Sequence, residues 1–249
     1  MAEGLVRAVE EGPFGVAGAV KRVTLPFDTD LYQLRIDLLE PYEDLLSPLL
    51  SAQELQTAAE LSRRQSRLES AITRACLKLL VADRLKADPH RLSVRRDERR
   101  KPYVTFDDEI YRAFNVSHSY PWSLIAFADE GRLGVDVETI RPLEDVENLA
   151  RLTMVPAELE ELTQAPAARQ PGLFLKNWTR KEAVMKALGI GIDVPLRQVL
   201  IDPPKHGDAD PVQVRCAERQ YGTFYIIDAS TDAYAASVAL QGETLNAPR

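Results

Sequence analysis

The sequence predicts an α+β fold, and two observations lead to this prediction. Segments with helical periodicity and segments with strand alternation follow one another irregularly along the 249 residues, without a βαβ succession or a glycine-rich phosphate loop. The chain also closes with strand-like runs at residues 198–201, 212–216, 224–229 and 233–240. A chain of this length allows one large domain or two small ones.

The first 130 residues are predicted to contain a long helix followed by short strands. A strand is expected at 31–39, and Ser51 or Ser47 is expected to cap the helical stretch that follows. An apolar stripe predicts a helix over 58–86, which Pro89 ends; the stripe contains Leu61, Leu68, Ile72, Ala75 and Leu79. Strands are then predicted at 92–94, 103–106, 113–116 and 123–128, with a basic turn at 99–102.

Beyond a turn at 129–131, the second part of the chain is predicted to alternate strand and helix before the closing strands. A strand is expected at 133–138, helices near 144–153 and 156–162, a Pro/Ala-rich loop at 165–171 and a further helix at 178–189. Cys76 and Cys216 form no metal motif, so we expect small buried hydrophobic residues in a reducing cytoplasm. The sequence shows neither a signal peptide nor the ~20 apolar residues of a membrane span.

Charge is distributed unevenly in this acidic chain. The net charge of −7 argues against non-specific binding to nucleic acid. Residues 61–101 nevertheless contain 13 Lys/Arg and 5 Asp/Glu, a local net charge of +8. At 100° per residue, Arg63, Arg67, Arg74 and Lys78 fall within about 60° of one another on the predicted long helix. This basic face is either solvated or directed at a phosphate, and the charge imbalance favours the phosphate.

The segment from Trp178 to Gly189, WTRKEAVMKALG, has the composition of a helix that ends at a glycine C′ cap. Trp178, Glu182 and Lys186 are spaced four residues apart and therefore share one ridge of this helix. A Glu followed by Lys at this spacing is usually a surface ion pair. A carboxylate and an amine one turn apart can also cooperate in proton transfer.

The segment LGVDVE at 133–138 alternates as a strand does. Leu133, Val135 and Val137 point to one face, while Gly134 and two acids, Asp136 and Glu138, point to the other. The glycine leaves room for a close approach to the backbone. Neighbouring carboxylates repel unless a cation or proton lies between them, and Mg²⁺ is commonly held by one or two carboxylates together with phosphates. A solvated strand end is the alternative.

A third polar segment, FNVSHS at 114–119, enters a strand and precedes the apolar run 122–128. Its Ser and His side chains offer hydrogen-bond donors at the mouth of a strand. No combination of nucleophile, base and orienting group for acyl transfer is recognisable around it.

In this order, the three segments closely resemble the signature of the surfactin-type 4′-phosphopantetheinyl transferases. The resemblance runs from about Lys101 to Gly189, and in charge pattern back to the helix near Arg63. It implies two similar α/β halves related by a pseudo-twofold axis, with the active site in the cleft between them. Residues 1–130 would carry the basic helix and bind the 3′-phosphate end of coenzyme A, and residues 131–249 would carry the metal and catalytic residues.

The resemblance also implies roles for individual residues. Asp136, Glu138 and Glu182 would bind Mg²⁺, which Mn²⁺ could replace. Glu182 would accept the proton of a serine on an apo acyl or peptidyl carrier protein, and Lys186 would stabilise or protonate the leaving phosphate. The residues implied in coenzyme A binding are Arg67, Arg74, Arg100, Lys101, Pro102, Asn115, Ser117 and His118. Ser117 and His118 would hold the 3′-phosphate end, with help from Lys101 and from an arginine of the basic helix, where Arg74 is preferred to Arg67. Arg100-Lys101-Pro102 stands where the family usually has Gly-Lys-Pro.

The expected function is therefore Mg²⁺-dependent transfer of phosphopantetheine from coenzyme A to a carrier serine, with release of adenosine 3′,5′-bisphosphate, by a cytoplasmic monomer in secondary metabolism. One alternative is a non-catalytic module that binds coenzyme A or a carrier protein. The set of Asp136, Glu138, Glu182 and Lys186 argues against it, because a binder needs no base. A Mg²⁺-dependent hydrolase of nucleotide pyrophosphates would use the same acids. The class of carrier remains open among fatty-acid, polyketide and peptide-synthetase proteins.

Overall fold

The computed structural model describes residues 18–98, 101–129, 131–191, 194–202, 211–216 and 219–242. The helices are α1 Ile36–Leu39, α2 Glu43–Leu46, α3 Ala52–Ala59, α4 Arg64–Leu85, α5 Val146–Thr153, α6 Pro156–Gln164 and α7 Gln170–Leu188. The strands are β1 Val20–Leu25, β2 Thr29–Arg35, β3 Ser93–Arg96, β4 Pro102–Phe106, β5 Glu109–Tyr111, β6 Phe114–Ser119, β7 Trp122–Ala128, β8 Arg132–Thr139, β9 Val199–Ile201, β10 Pro211–Cys216, β11 Arg219–Asp228 and β12 Tyr234–Gln241. This mixture of helices and sheets confirms the α+β prediction.

The chain forms two compact units. The first is built mainly from Leu31–Arg112 and His118–Ile125, and the second from Thr24–Asp30, Ala113–Ser117 and the chain from Ala126 onwards. A four-stranded sheet has the order β1-β2-β7-β6. The predicted domain boundary at residue 130 stays a prediction.

The first unit contains α1–α4 and an antiparallel sheet with the order β3-β4-β5. Ser51 caps α3 as expected, in a capping box with Glu54. The single helix predicted over 58–86 is wrong, because α3 ends at Ala59 and α4 begins only at Arg64. Pro89 does not end α4 either. The helix stops at Leu85, and Lys86 follows in the left-handed conformation with φ 51°.

Two other predictions need correction in their bounds. The strand expected over 31–39 ends at Arg35, and its last residues form the short helix α1. The loop expected over 165–171 contains a 3₁₀ turn at Ala167–Arg169, and α7 already begins at Gln170. Cys76 and Cys216 are buried free thiols, as expected, and burial raises their pKa to about 12 and about 11 respectively.

The second unit is an antiparallel sheet with the order β8-β12-β11-β10-β9, packed against α7. Apolar side chains of α7 and of this sheet form a buried core, which includes Ala183, Val184, Leu188, Val214, Phe224 and Ala239. A second core cluster joins α5, α6 and α7 through Ala150, Leu162 and Phe174. Among the described residues, no helix has the length and apolarity that crossing a membrane requires.

Candidate active site

The predicted ridge on α7 is present. The helix runs to Leu188 and ends at Gly189, whose φ of 65° is the left-handed conformation expected of a C′ glycine. Glu182 and Lys186 are both half-buried. Trp178, the third residue of the ridge, packs against both core clusters of the unit and therefore has a role in packing.

Helix α7 lies directly on the face of β8 that carries the acids. A Cβ atom added at Gly134 would be 2.0 Å from the carbonyl oxygen of Ala183 and 2.5 Å from the backbone nitrogen of Ala187. The space that Gly134 leaves beside the strand is therefore filled by the backbone of α7. Asp136 and Glu138 follow at alternate positions of the same strand, which directs them to this face. Asp136 is buried and Glu138 is half-buried.

One residue from each of the three sequence motifs meets the others in a hydrogen-bonded group. Lys186 Nζ donates to Asp136 Oδ1 at 2.6 Å and to Ser117 Oγ at 2.8 Å. Ser117 Oγ in turn donates to Asp136 Oδ1 at 2.9 Å. The Asp136 side chain is only 6% exposed, so its charge is neutralised mainly by Lys186 inside the protein. The Glu-Lys pair on α7 is thus not merely a surface pair.

Two side chains of strand β6 form hydrogen bonds with the backbone of β8, which is an edge strand of its sheet. The backbone N–H of Val135 donates to Asn115 Oδ1 at 2.9 Å, and that of Val137 donates to Ser117 Oγ at 3.3 Å. Asn115 and Ser117 are both buried. Because they alternate on β6, both reach β8 from the same face of their strand.

The environment of Glu182 favours its neutral form. Burial raises the pKa of this carboxyl, and the negative charges of Asp136 and Glu138 raise it further, against the opposing charge of Lys186. A carboxylate with a raised pKa is the better proton acceptor. The chemistry that this group of side chains offers is proton acceptance beside a fixed ammonium.

The acids fit a divalent cation by their chemistry. Asp136 Oδ2 is buried without a hydrogen-bond partner. Glu182 is near enough to Asp136 and to Glu138 for both charges to act on it, and oxygen donors of this kind suit Mg²⁺. Within the described residues, no group of three His, Cys, Asp or Glu side chains is already arranged around a metal position. The ligand set therefore stays a prediction.

His118 has surroundings different from those of its neighbour Ser117. His118 is in the first unit, where its Nδ1 lies 3.1 Å from Oε2 of Glu69 on α4. Its side chain is 48% exposed. Successive residues of a strand point to opposite faces, which accounts for the separation of the two side chains.

The prediction that Lys78 belongs to the basic face of α4 is wrong. This residue is buried, and its Nζ donates to the carbonyl of Leu49 and, at 3.5 Å, to Glu54 Oε2. Arg67 donates to the carbonyls of Leu61 and Ser62, at 2.9 and 3.1 Å, and so binds the segment before α4.

Arg74 lines a pocket of about 360 Å³ in the first unit. Its guanidinium donates to the carbonyl of Glu54 at 3.2 Å. Burial lowers the pKa of Arg74; the charge of Glu54 opposes this effect and that of Arg96 adds to it. Arg95 and Arg96 also line the pocket, and no sequence motif indicated them. Their place on β3, directly before the basic turn, was the available signal.

Two hydrogen bonds join Asp97 and Lys101, which lie between β3 and β4. The N–H of Lys101 donates to Asp97 Oδ1 at 2.8 Å, and its carbonyl accepts from the N–H of Asp97 at 3.0 Å. Pro102 begins β4 and pairs with Arg96 of β3. Arg100, predicted to bind coenzyme A, lies outside the described residues.

The sequence also matches known proteins. The model of the 4′-phosphopantetheinyl transferase superfamily matches residues 132–239. The 4′-phosphopantetheinyl transferase HetI of Nostoc sp. is 31% identical over 168 residues, which are 66% of this chain and 70% of HetI. The protein slr0495 of Synechocystis sp., whose provisional name is also 4′-phosphopantetheinyl transferase, is 32% identical over 154 residues. That match spans 62% of this chain and 63% of slr0495.

A protein of Bacillus subtilis named 4′-phosphopantetheinyl transferase is 25% identical over 154 residues, covering 62% of this chain and 66% of its own. The family model covers β8, α7 and most of β12, which are the elements that carry Asp136, Glu138, Glu182 and Lys186. This chain belongs to the 4′-phosphopantetheinyl transferase superfamily.

Proposed function

We propose that this protein transfers the 4′-phosphopantetheine group of coenzyme A to a serine hydroxyl of an apo acyl or peptidyl carrier protein. The serine oxygen attacks the phosphorus next to the pantetheine arm, the pyrophosphate P–O bond breaks, and adenosine 3′,5′-bisphosphate leaves. The observation that carries the proposal is the contact of Lys186 with both Ser117 and Asp136, beside Glu182. Membership of the superfamily supports the same reaction.

In this mechanism Glu182 accepts the proton of the attacking serine. Its half-buried position beside two other acids makes it a suitable acceptor. Asp136, Glu138 and Glu182 would hold Mg²⁺, or Mn²⁺ in its place. The ion would polarise the pyrophosphate and reduce the repulsion among the acids when bound.

Lys186 provides positive charge for the leaving phosphate. In the structure its ammonium neutralises Asp136 and is oriented by Ser117, so its position does not depend on substrate. A charge that is already in place stabilises developing negative charge without the cost of reorganising the site. Proton donation from Lys186 to the leaving oxygen is compatible with the same position.

The 3′-phosphate end of coenzyme A is proposed to bind the basic residues of the first unit. Arg74 and Lys101 are the preferred candidates, and His118 provides an exposed imidazole. The further proposed contacts are Arg67, Arg100, Pro102 and Asn115. Ser117, expected in the same set, is assigned instead to holding Lys186 and Asp136, because its hydroxyl already bonds both. The local net charge of +8 at residues 61–101 supports this assignment.

We also propose that the chain acts as a cytoplasmic monomer built of two similar halves, residues 1–130 and 131–249, related by a pseudo-twofold axis. Its carrier proteins would belong to secondary metabolism. The two buried free thiols are what a reducing compartment favours.

Intact-mass analysis of apo carrier proteins incubated with the protein, coenzyme A and Mg²⁺ tests the proposal. The expected result is a gain of one phosphopantetheine group on the carrier serine, abolished by a chelator. Free phosphopantetheine formed without a carrier would instead identify a pyrophosphate hydrolase. Coenzyme A binding with unchanged masses of fatty-acid, polyketide and peptide-synthetase carriers would identify a binding module.

A further inference from the structure

Lys181 precedes Glu182 in the chain, yet it is directed into a different part of the second unit. Its side chain is only 2% exposed. The ammonium donates to Glu158 Oε2 at 2.6 Å and to the backbone carbonyl of Thr153 at 3.0 Å. Thr153 is the last residue of α5, whose terminal carbonyls lack partners within the helix. Glu158 lies in the first turn of α6.

The Glu158 carboxylate is itself held in place. Its Oε2 also accepts from the backbone N–H of Val155 at 3.0 Å, at the beginning of α6. One carboxylate oxygen therefore joins α6, the segment before it and, through Lys181, helix α7. This link is a buried polar contact between α7 and the α5–α6 pair. On its other side, α7 contacts β12 through the hydroxyls of Thr179 and Ser237, 3.2 Å apart.

We propose that Lys181 is a positioning residue that fixes the rotation of α7 about its axis and thereby directs Glu182 and Lys186 to the acids of β8. This inference rests on the proposed function of those two residues. Side chains extend about 5–6 Å from a helix axis, so a rotation of about 20° displaces their ends by about 2 Å. A misplacement of about 1 Å can reduce a rate about a hundredfold. A buried ammonium with two fixed acceptors resists such a rotation.

The test substitutes Lys181→Met, which keeps most of the length of the unbranched side chain and removes its charge. The matched control is Lys176→Met on the same helix. Lys176 also forms an ion pair with another element of the unit, at 2.9 Å to Asp228, but its side chain is 47% exposed and lies six residues before Glu182. A third variant, Glu158→Gln, weakens the same contact from its more exposed end. It provides the measurement if Lys181→Met does not fold.

The kcat of each variant is calculated from the concentration of folded protein, so that a loss of folding does not count as a loss of activity. We expect Lys181→Met and Glu158→Gln to lower kcat at least about tenfold, with the KM for coenzyme A within threefold of the parent. Lys176→Met is expected to change neither. A role in stability alone would lower the unfolding temperature without changing kcat per folded molecule, and that result would overturn the proposal.

A second readout does not depend on turnover. Tb³⁺ is used as a probe of the acids, with Trp178 as the sensitiser of its emission. We expect its affinity to fall at least fivefold in Lys181→Met and to remain unchanged in Lys176→Met. If the parent protein transfers no phosphopantetheine, the proposed function fails, and this affinity alone decides the role of Lys181. Equal Tb³⁺ affinities in that case, or unchanged kcat in an active parent, would overturn it.

Discussion

The hydroxyl of Ser117 is fully occupied by contacts within its own unit. A serine hydroxyl has one proton to donate and two lone pairs to accept. Here the proton goes to Asp136, and the lone pairs accept from Lys186 Nζ and from the backbone N–H of Val137. A phosphate could bind this hydroxyl only by displacing one of these partners. The structure therefore favours a role in holding Lys186 and Asp136 over direct contact with the 3′-phosphate.

Ser117→Ala separates these two roles. We expect kcat to fall about tenfold or more, because Lys186 loses an acceptor and Asp136 loses a donor, while the KM for coenzyme A changes less than threefold. The measurement compares coenzyme A with its 3′-dephospho form. A rise in KM for coenzyme A alone, with kcat unchanged, would return Ser117 to the 3′-phosphate contact.

Glu182→Gln removes the proposed proton acceptor and one negative charge while preserving shape. General-base contributions are typically about 10²–10⁴-fold, so we expect turnover to fall at least about a hundredfold in a protein that remains folded and binds coenzyme A. Glu160→Gln, at an exposed position on α6, is the control for the same chemical change. Single-turnover transfer within threefold of the parent would exclude Glu182 as the base.

At the level of elements, the contact between β8 and α7 depends on a single missing side chain. Gly134→Ala places a methyl group 2.0 Å from the Ala183 carbonyl, so α7 must move away from the strand. Overpacking of this kind costs about 1–3 kcal/mol of unfolding free energy, and the same movement separates Glu182 and Lys186 from Asp136. We expect lower stability in chemical denaturation and a large loss of kcat.

Gly172→Ala is the matched control because it changes the same residue type on α7. An added Cβ at Gly172 meets nothing within 4 Å. Replacing a glycine within a helix by alanine gains about 0.5–1 kcal/mol. We therefore expect Gly172→Ala to be at least as stable as the parent and equally active. Equal stability of both variants would contradict the close contact of α7 with β8.

The cap of α3 predicts how the stability of the first unit depends on pH. Burial would raise the pKa of Glu54, but the N–H groups of Ser51 and Val94 and the charge of Lys78 outweigh it, so the pKa lies below its ordinary value of 4.5. A carboxyl with a lowered pKa stabilises the fold above its unfolded pKa. That stabilisation is lost as the pH falls through the folded pKa.

The experiment compares the free energy of unfolding of the parent and Glu54→Gln from pH 7 to pH 3. We expect the parent to be more stable at pH 7, by an amount that stays constant down to about pH 5 and shrinks at lower pH as Glu54 becomes protonated. Glu60→Gln, at the exposed residue that follows the last residue of α3, is the control. A difference that does not depend on pH would show that the charge of Glu54 is not what stabilises the cap.

Helices and strands that a local sequence pattern specifies were predictable. The errors lie where tertiary contacts determine where an element begins or ends. Strand β8 follows from the alternation of its residues, and α7 follows from its helix-forming composition. Its cap follows from Gly189, since glycine readily adopts the left-handed conformation seen there. The break between α3 and α4 has no comparable local signal. Leu61, counted in the apolar stripe, is exposed, and Arg67 bonds the carbonyls around it.

At the scale of the whole molecule, the order of the motifs indicated which residues share a site, but not how they contact one another. Sequence spacing could not show that Asn115 and Ser117 bond the backbone of β8, since that contact joins strands of different sheets. Nor could it show that the side chains of Lys181 and Glu182 enter different parts of the second unit, because both residues are polar and they are neighbours in the sequence. The charge distribution was visible: the segment with net charge +8 lies in the first unit, and the acids of β8 lie in the second.

This distribution predicts that the position of a charge, and not the total charge, determines the affinity for coenzyme A. Lys101→Glu and Lys86→Glu change the net charge equally, and both residues belong to the basic segment 61–101. Lys86 has an exposed side chain beside Asp83 at the end of α4 and is not among the proposed coenzyme A contacts. We expect Lys101→Glu to raise the KM for coenzyme A at least tenfold, because a carboxylate replaces the ammonium and repels the phosphate; a tenfold change corresponds to about 1.4 kcal/mol. Lys86→Glu should raise it less than threefold.

The 3′-dephospho form of coenzyme A identifies the phosphate concerned. Without the 3′-phosphate, the difference between Lys101→Glu and the parent should shrink to that of Lys86→Glu, and kcat should remain within threefold throughout. Measuring at two ionic strengths adds a check, since a long-range effect of net charge is screened over about 8–10 Å in 0.1–0.15 M salt. If both variants raise the KM equally and added salt abolishes the effect, the basic segment attracts coenzyme A only by long-range electrostatics. Lys101 would then not contact the 3′-phosphate.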